Sequence, residues 1–122
     1  MHKTRWGIIG SGNIADAFAH SIKYSQKSEL ISIFGRNSET VSQFSTKFDI
    51  NPYSDIHDFL SSNEIDAVYI ATPHNSHYFY SLEAIKNNKH VLCEKPLTMN
   101  YLESMTLLNL AKEAKVFLME AY

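Results

Sequence analysis

Five short runs of β-forming residues, interleaved with stretches in which apolar residues recur at helical spacing, constrain this chain more than any other feature. The runs are Arg5–Ile9, Leu30–Phe34, Ala67–Ala71, His90–Cys93 and Val116–Met119. Most are unbroken apolar rather than alternating, the pattern of strands covered on both faces. Between them Ile14, Phe18 and Ile22 form one helical stripe, and Val41, Phe44 and Phe48 a second. Tyr78, Leu82 and Ile85 form a third stripe, and Leu107, Ala111 and Ala114 a fourth. Ile56 to Leu60 adds a helical turn or two. Such alternation predicts the α/β class, a parallel sheet joined by right-handed crossovers.

The punctuation agrees with that frame. Asn100 followed by Glu103 reads as a capping-box variant opening the fourth helix. Asn87-Asn88 closes the third helix, where Asn takes the left-handed conformation usually given to Gly. Asn51-Pro52 and Thr72-Pro73 are read as loops.

Composition sets the outer limits. A chain of 122 residues has the size of one ordinary domain. Eleven Lys plus Arg against thirteen Asp plus Glu give a net charge of −2 and no basic footprint, so no nucleic-acid partner is expected. The single cysteine, Cys93, excludes an internal disulfide framework and fits a reducing compartment. The longest apolar run, Ala67–Ala71, is too short to cross a bilayer. Lys3 and Arg5 ahead of Trp6–Ile9 imitate a signal peptide, but Gly10-Ser11-Gly12-Asn13 ends the stretch short of the roughly 7–15 apolar residues such a signal needs. The terminus is therefore expected to be uncleaved and the protein cytoplasmic.

Gly10-Ser11-Gly12-Asn13-Ile14-Ala15 stands between the first run and the first helical stripe and matches G-x-G-x-x-G/A. Gly10 would permit the tight turn, Gly12 would let backbone reach a pyrophosphate, and Ala15 would let helix and strand pack closely. Free N–H groups at the helix start, together with the positive dipole end, suit the anion. Gly10, Ser11, Gly12, Asn13 and Ile14 are therefore candidate dinucleotide-binding residues. The alternative is that the glycines only turn the chain.

A carboxylate at the end of the second strand would mark NAD preference by taking the ribose 2′-hydroxyl. Here the strand runs into Phe34-Gly35-Arg36-Asn37; Glu29 precedes it and Glu39 falls in the next helix. Arg36 offers a planar donor fork for a 2′-phosphate or for stacking on adenine, with Asn37 beside it. The expected cofactor is NADP, with NAD possible.

After the third run comes Ala71-Thr72-Pro73-His74-Asn75-Ser76-His77, which should face the cofactor crevice at the carboxyl ends of the strands. Thr72, Pro73, His74 and Asn75 are candidate contacts to ribose or caps of the third helix. His77 reads equally as a cofactor contact or as a structural residue at a helix start. His74, His77 and Cys93 lack the spacing of a zinc site, and no metal is expected. After the fourth run, Glu94-Lys95-Pro96 places an acid and a cation where a nicotinamide would lie. Lys95 could hydrogen-bond a substrate hydroxyl and stabilise its developing alkoxide. Glu94 could hold a ribose hydroxyl or set the ammonium's position. The alternative is an exposed Glu94–Lys95 salt bridge.

Together, Gly7-x-x-Gly10-x-Gly12-x-x-Ala15, Ala71-Thr72-Pro73 with His77, and Glu94-Lys95-Pro96 resemble the Gfo/Idh/MocA oxidoreductases over essentially the whole chain. Phe117-Leu118-Met119-Glu120-Ala121-Tyr122, with Val91–Pro96, is most similar to the dihydrodiol/xylose dehydrogenase branch. The resemblance implies a doubly wound Rossmann domain over residues 1–122, followed in a longer enzyme by a substrate and dimerisation domain that this chain lacks. It implies hydride transfer between nicotinamide and a sugar, polyol or dihydrodiol-like alcohol, with Lys95 catalytic and the Lys95–Pro96 bond cis. It also implies a homo-oligomer built through the missing domain, no membrane partner, and little activity from this part alone. Asn88 departs from the family's usual Gly. Some members of this family sense dinucleotide and regulate a partner without turnover, which is the alternative function. A flavodoxin- or receiver-like module is disfavoured, because receivers want clustered acids where this chain has Ser11-Gly12-Asn13.

Overall fold

In the computed structural model, which describes residues 2–121, the apolar runs pair edge to edge as parallel strands of one sheet. The elements are β1 (Thr4–Ile9), α1 (Asn13–Ile22), β2 (Ser28–Phe34), α2 (Ser38–Phe48), β3 (Asn51–Tyr53) and α3 (Ile56–Ser61). They continue with β4 (Ala67–Ile70), a 3₁₀ turn (His74–Ser76), α4 (His77–Lys86), β5 (His90–Glu94), α5 (Tyr101–Ala114) and β6 (Leu118–Ala121). The strand order is β3-β2-β1-β4-β5-β6, the doubly wound Rossmann order, in which the chain reverses direction across the sheet between β1 and β4.

Alternate residues feed two cores. Ile8 and Ile33 face α1 and α2, where Ala15, Ala19, Val41, Phe44 and Phe48 cover them. Ile9, Phe34, Val68 and Ile70 face the opposite way, under Phe59, Leu60, Tyr80, Ala84, Leu107 and Ala111. One extra residue, Ile31, bulges between the Trp6–Leu30 and Gly7–Ser32 pairs. Gly7 is required here by space: a Cβ would lie 2.5 Å from the Phe59 ring, so α3 packs directly on β1 backbone.

Four expectations need correction. Asn51-Pro52 is a short edge strand rather than a loop, paired through Ser32–Asn51 and Ile33–Pro52. Proline cannot donate to a ladder, and an edge position asks for no donor on its outer side. The last strand begins at Leu118, not Val116, because Lys115 takes a left-handed cap at φ 60° and Val116 N still bonds Ala111 O of α5. In α1 the fully buried positions are Ala15 and Ala19, while Ile14 is 54% exposed. Close approach of this helix to the sheet admits only small side chains beneath it, and the larger ones flank it. In α4 the buried face is His77, Tyr80, Ser81, Ala84 and Ile85, with Tyr78 and Leu82 only partly covered.

Two local readings match the structure: Asn88 is left-handed at φ 61°, and Asn100 Oδ1 accepts from Glu103 N at 2.9 Å. Tyr122, which closes the motif quoted above, lies outside the described residues. Among those residues no helix is long and apolar enough to cross a membrane.

Candidate functional site

The switch point between β1 and β4 opens into a crevice of about 320 Å³ at the carboxyl ends of the strands. Gly10, Ser11 and Gly12 come to it from the loop after β1, Arg36 and Asn37 from the loop after β2, and Thr72 and Pro73 from the loop after β4. Three chain segments far apart in sequence thus wall one space.

The two loop glycines stand there for different reasons. Gly10 is held at φ 112°, a Cβ would meet Ala71 O at 2.7 Å, and its N–H bonds Phe34 O at 2.9 Å. The chain itself requires that glycine. Gly12 sits at φ −86°, is exposed, and has no atom within 4 Å of where a Cβ would be. No neighbour in the fold asks for glycine at this position. A side chain there would project into space, which is what a backbone approached by a ligand must avoid.

The helix start agrees. Asn37, Asp55 and Asn100 cap α2, α3 and α5 with side-chain oxygens, whereas Gly12 gives α1 none. The first N–H groups of α1 lack intrahelical partners by geometry and lie at the crevice, so they are available to an anion. These features fit a dinucleotide pyrophosphate: an open cradle, unspent donors and a helix dipole pointing the right way.

Other candidates are partly committed elsewhere. Ser11 Oγ shares a 2.8 Å hydrogen bond with Thr40 Oγ1, tying the glycine loop to α2. Asn37 Oδ1 accepts from Glu39 N and Thr40 N, which leaves only its amide nitrogen toward the crevice. Thr72 Oγ1 accepts from Ser76 Oγ at 2.7 Å. Asn13 and Ile14 are exposed at the start of α1, and His74 and Asn75 are exposed in the 3₁₀ turn. Arg36 is exposed and stands between the crevice and a neighbouring cavity of about 510 Å³ lined by Ser38, Tyr53 and Ser54. Among the described residues it has no acidic partner within salt-bridge distance.

At the end of β5 the alternative reading, an exposed Glu94–Lys95 salt bridge, is not what forms. Glu94 accepts a short hydrogen bond from the Tyr69 hydroxyl of β4, while exposed Lys95 has no carboxylate partner among the described residues. Burial, and then the Glu94 carboxylate, push the Tyr69 hydroxyl well above the usual range, so it remains a donor. Phe18 of α1 stacks on Tyr69 at 4.0 Å between centroids and holds the ring in place. The Lys95–Pro96 peptide is cis, as the resemblance implied. Cys93 faces the opposite core, fully buried, and burial raises its thiol to about 12; it is an inert packing residue.

The sequence left two roles open for His77. The side chain is completely buried, with both ring nitrogens on backbone carbonyls rather than facing the crevice. Tyr69, Phe18 and Thr40 are the site-shaping residues that the sequence reading missed. Tyr69 could have been found only from the β4–β5 register, which pairs it with Leu92 and puts Glu94 two residues further along the same face. No three His, Cys, Asp or Glu side chains come together to hold a metal ion among the described residues.

The profile of the Gfo/Idh/MocA oxidoreductase family, with an NAD-binding Rossmann fold, matches residues 4–122. The chain is 35% identical over 118 residues to scyllo-inositol 2-dehydrogenase (NADP(+)) IolU of Bacillus subtilis, covering 96% of this chain and 36% of that protein. It is 32% identical over 120 residues to trans-1,2-dihydrobenzene-1,2-diol dehydrogenase of Danio rerio, covering 96% and 36% respectively. Among solved structures, that of KijD10, a 3-ketoreductase from Actinomadura kijaniata in complex with NADP and TDP-benzene, superposes with a TM-score of 0.93. There the identity is 29%, with 98% of this chain and 37% of that one covered. The chain thus spans about a third of the length of the curated relatives it matches.

Proposed function

This chain belongs to the Gfo/Idh/MocA oxidoreductase family, and on that premise we propose that it is the cofactor-binding part of an NADP-preferring dehydrogenase acting on a cyclic polyol, sugar or dihydrodiol-like alcohol. The observation that carries this reading is Gly12, whose open surroundings nothing in the fold explains. The bound dinucleotide would supply the hydride acceptor and donor. The N–H groups at the start of α1 and the backbone from Gly10 to Gly12 hold the pyrophosphate. Arg36 takes the 2′-phosphate with its guanidinium fork, a role supported by its lack of an acidic partner among the described residues. Glu94, oriented by Tyr69, is placed to accept from a ribose hydroxyl. Lys95 carries a free ammonium to the substrate oxygen, where it donates a hydrogen bond and stabilises negative charge as the carbon–hydrogen bond breaks. The inositol and dihydrobenzenediol dehydrogenases among the relatives support an alcohol substrate, and a Lys95 without a carboxylate partner among the described residues favours turnover over dinucleotide sensing alone.

Two measurements test this. NADPH and NADH are titrated against wild type and Arg36→Ala. The variant should lose about ten- to hundredfold in NADPH affinity, the worth of a charge-assisted contact, and little for NADH. Equal losses for both would remove Arg36 from 2′-phosphate recognition. In the protein at the length of its relatives, Lys95→Ala should lower kcat by about 10²–10⁴ with cofactor binding retained. Undiminished turnover would sink the catalytic role.

A further inference from the structure

Building on the role of Lys95 just described, we propose that Glu120 of β6 is a positioning residue for that lysine, acting through a hydrogen bond to the backbone of the Lys95 loop. Strand β6 lies at the edge of the sheet, beside β5. Side chains alternate along a strand. Leu118 packs into the core that α5 covers, so Glu120, two residues on, points to the same side at the carboxyl end. The chain leaving β5 must cross to that side to enter α5, and its loop therefore runs past Glu120. There Glu120 Oε2 accepts from Leu97 N at 2.7 Å. A backbone N–H always donates and a carboxylate always accepts, so the contact fixes its own polarity.

One strand thus holds the chain on both sides of Lys95. Upstream, Glu94 is paired with Ala121 in the β5–β6 ladder, and its side chain accepts from the Tyr69 hydroxyl. Downstream, Leu97 is tied to Glu120 by its N–H and packs its side chain against the core. Lys95 and Pro96 lie between these two points. Releasing Leu97 N would add loop freedom to the freedom of the Lys95 side chain, and a misplacement of about 1 Å can cost on the order of a hundredfold in rate. Pro96 O also stands 2.7 Å from His77 Nδ1, so losing Glu120 loosens the loop without freeing it, and the expected cost is about tenfold.

Glu120 does this without taking the ammonium. Among the described residues Lys95 makes no ion pair, with Glu120 or with Glu94. A carboxylate on the ammonium would occupy donors that a substrate oxygen needs. A carboxylate on Leu97 N sets where the lysine side chain starts and leaves those donors available.

A cycle of variants tests this in the protein at the length of its relatives. Glu120→Ala should lower kcat about tenfold and leave the Kd for NADPH unchanged. Glu120→Gln keeps a carbonyl oxygen at the same reach and should stay within about twofold of wild type. In a Lys95→Ala background, Glu120→Ala should cost less than about twofold more, because a residue acting through Lys95 has nothing left to position. A merely structural glutamate predicts equal losses in both backgrounds. That result, equal losses in the Gln and Ala variants, or no loss at all would overturn the positioning role. Amide exchange at Leu97 in the same proteins reads the bond without cofactor or turnover. It should be about tenfold slower in wild type and Glu120→Gln than in Glu120→Ala, and equal exchange in all three would refute the bond. Undiminished turnover in Lys95→Ala would instead defeat the proposed function, whereas slow exchange at Leu97 would still report the Glu120 contact.

Discussion

At the start of α2, Asn37 Oδ1 accepts from two backbone N–H groups, and at the start of α5 Asn100 accepts from a third; at the start of α1 stands Gly12, with no side chain at all. All three helices leave their first donors without intrahelical partners. The chain satisfies those of α2 and α5 itself and leaves those of α1 at a crevice. The contrast extends to the glycines of the loop. Gly10 is demanded by a positive φ and a carbonyl at close range, whereas Gly12 is demanded by nothing in the fold. A glycine that the fold requires and one that it does not lie two residues apart, and they are told apart by asking what an added side chain would strike.

Substitutions should separate the two kinds. Gly10→Ala should have the largest effect on folding, about 3 kcal/mol lost in urea unfolding, because it adds backbone strain to a clash with Ala71 O. Full stability in that variant would break the contrast. Gly12→Ser should leave stability within about 0.5 kcal/mol, since Ser is a slightly better N-cap than Gly, yet weaken NADPH binding tenfold or more, about 1.4 kcal/mol by titration. Unchanged affinity would mean that the loop only turns the chain. Asn100→Ala removes a cap that the protein uses for itself, so it should cost about 1 kcal/mol of stability and leave cofactor affinity alone.

A further effect, no larger than the loss of the Asn100 cap, concerns the opposite end of the sheet. Arg5 N and the Arg5 guanidinium all bond the Asp66 carboxylate, and the guanidinium holds its pKa down at about 2. The folded state therefore binds this proton less readily than the unfolded one. Its stabilisation is complete above the unfolded value of about 4 and is lost as pH falls through about 2. Discounted for a partly exposed pair, Asp66→Asn should cost about 1 kcal/mol at pH 7 and flatten the acid limb of the stability profile. Cofactor affinity should not change.

Much of the fold was legible because its signals are local. Unbroken apolar runs separated by helical stripes fix a parallel α/β sheet, and Asn88 and Asn100 do in the structure what their side chains suggest in the sequence. The misreadings share a cause. Ile14 looked like a core residue because its spacing is right, but the separation of α1 from the sheet selected Ala15 and Ala19. Pro52 looked like a loop because the position of a strand within a sheet cannot be read from three residues. At the site, Gly10 through Ile14, Arg36 and Lys95 were legible as types in a pattern. The Tyr69 bond to Glu94 and the double contact of His77 were not.

By itself the sequence determined the class of fold, the alternation of its main strands and helices and which loops carry glycine, arginine and lysine, because those depend on periodicity and on backbone freedom residue by residue. Only the tertiary structure decided which partners those residues have. Tyr69 reaches Glu94 across paired strands, and Thr72 and Pro96 meet on one histidine, because packing brings together groups 25 and 24 positions apart in the chain. Hydrogen bonds act over about 3 Å, and no spacing along a sequence specifies a distance of that kind.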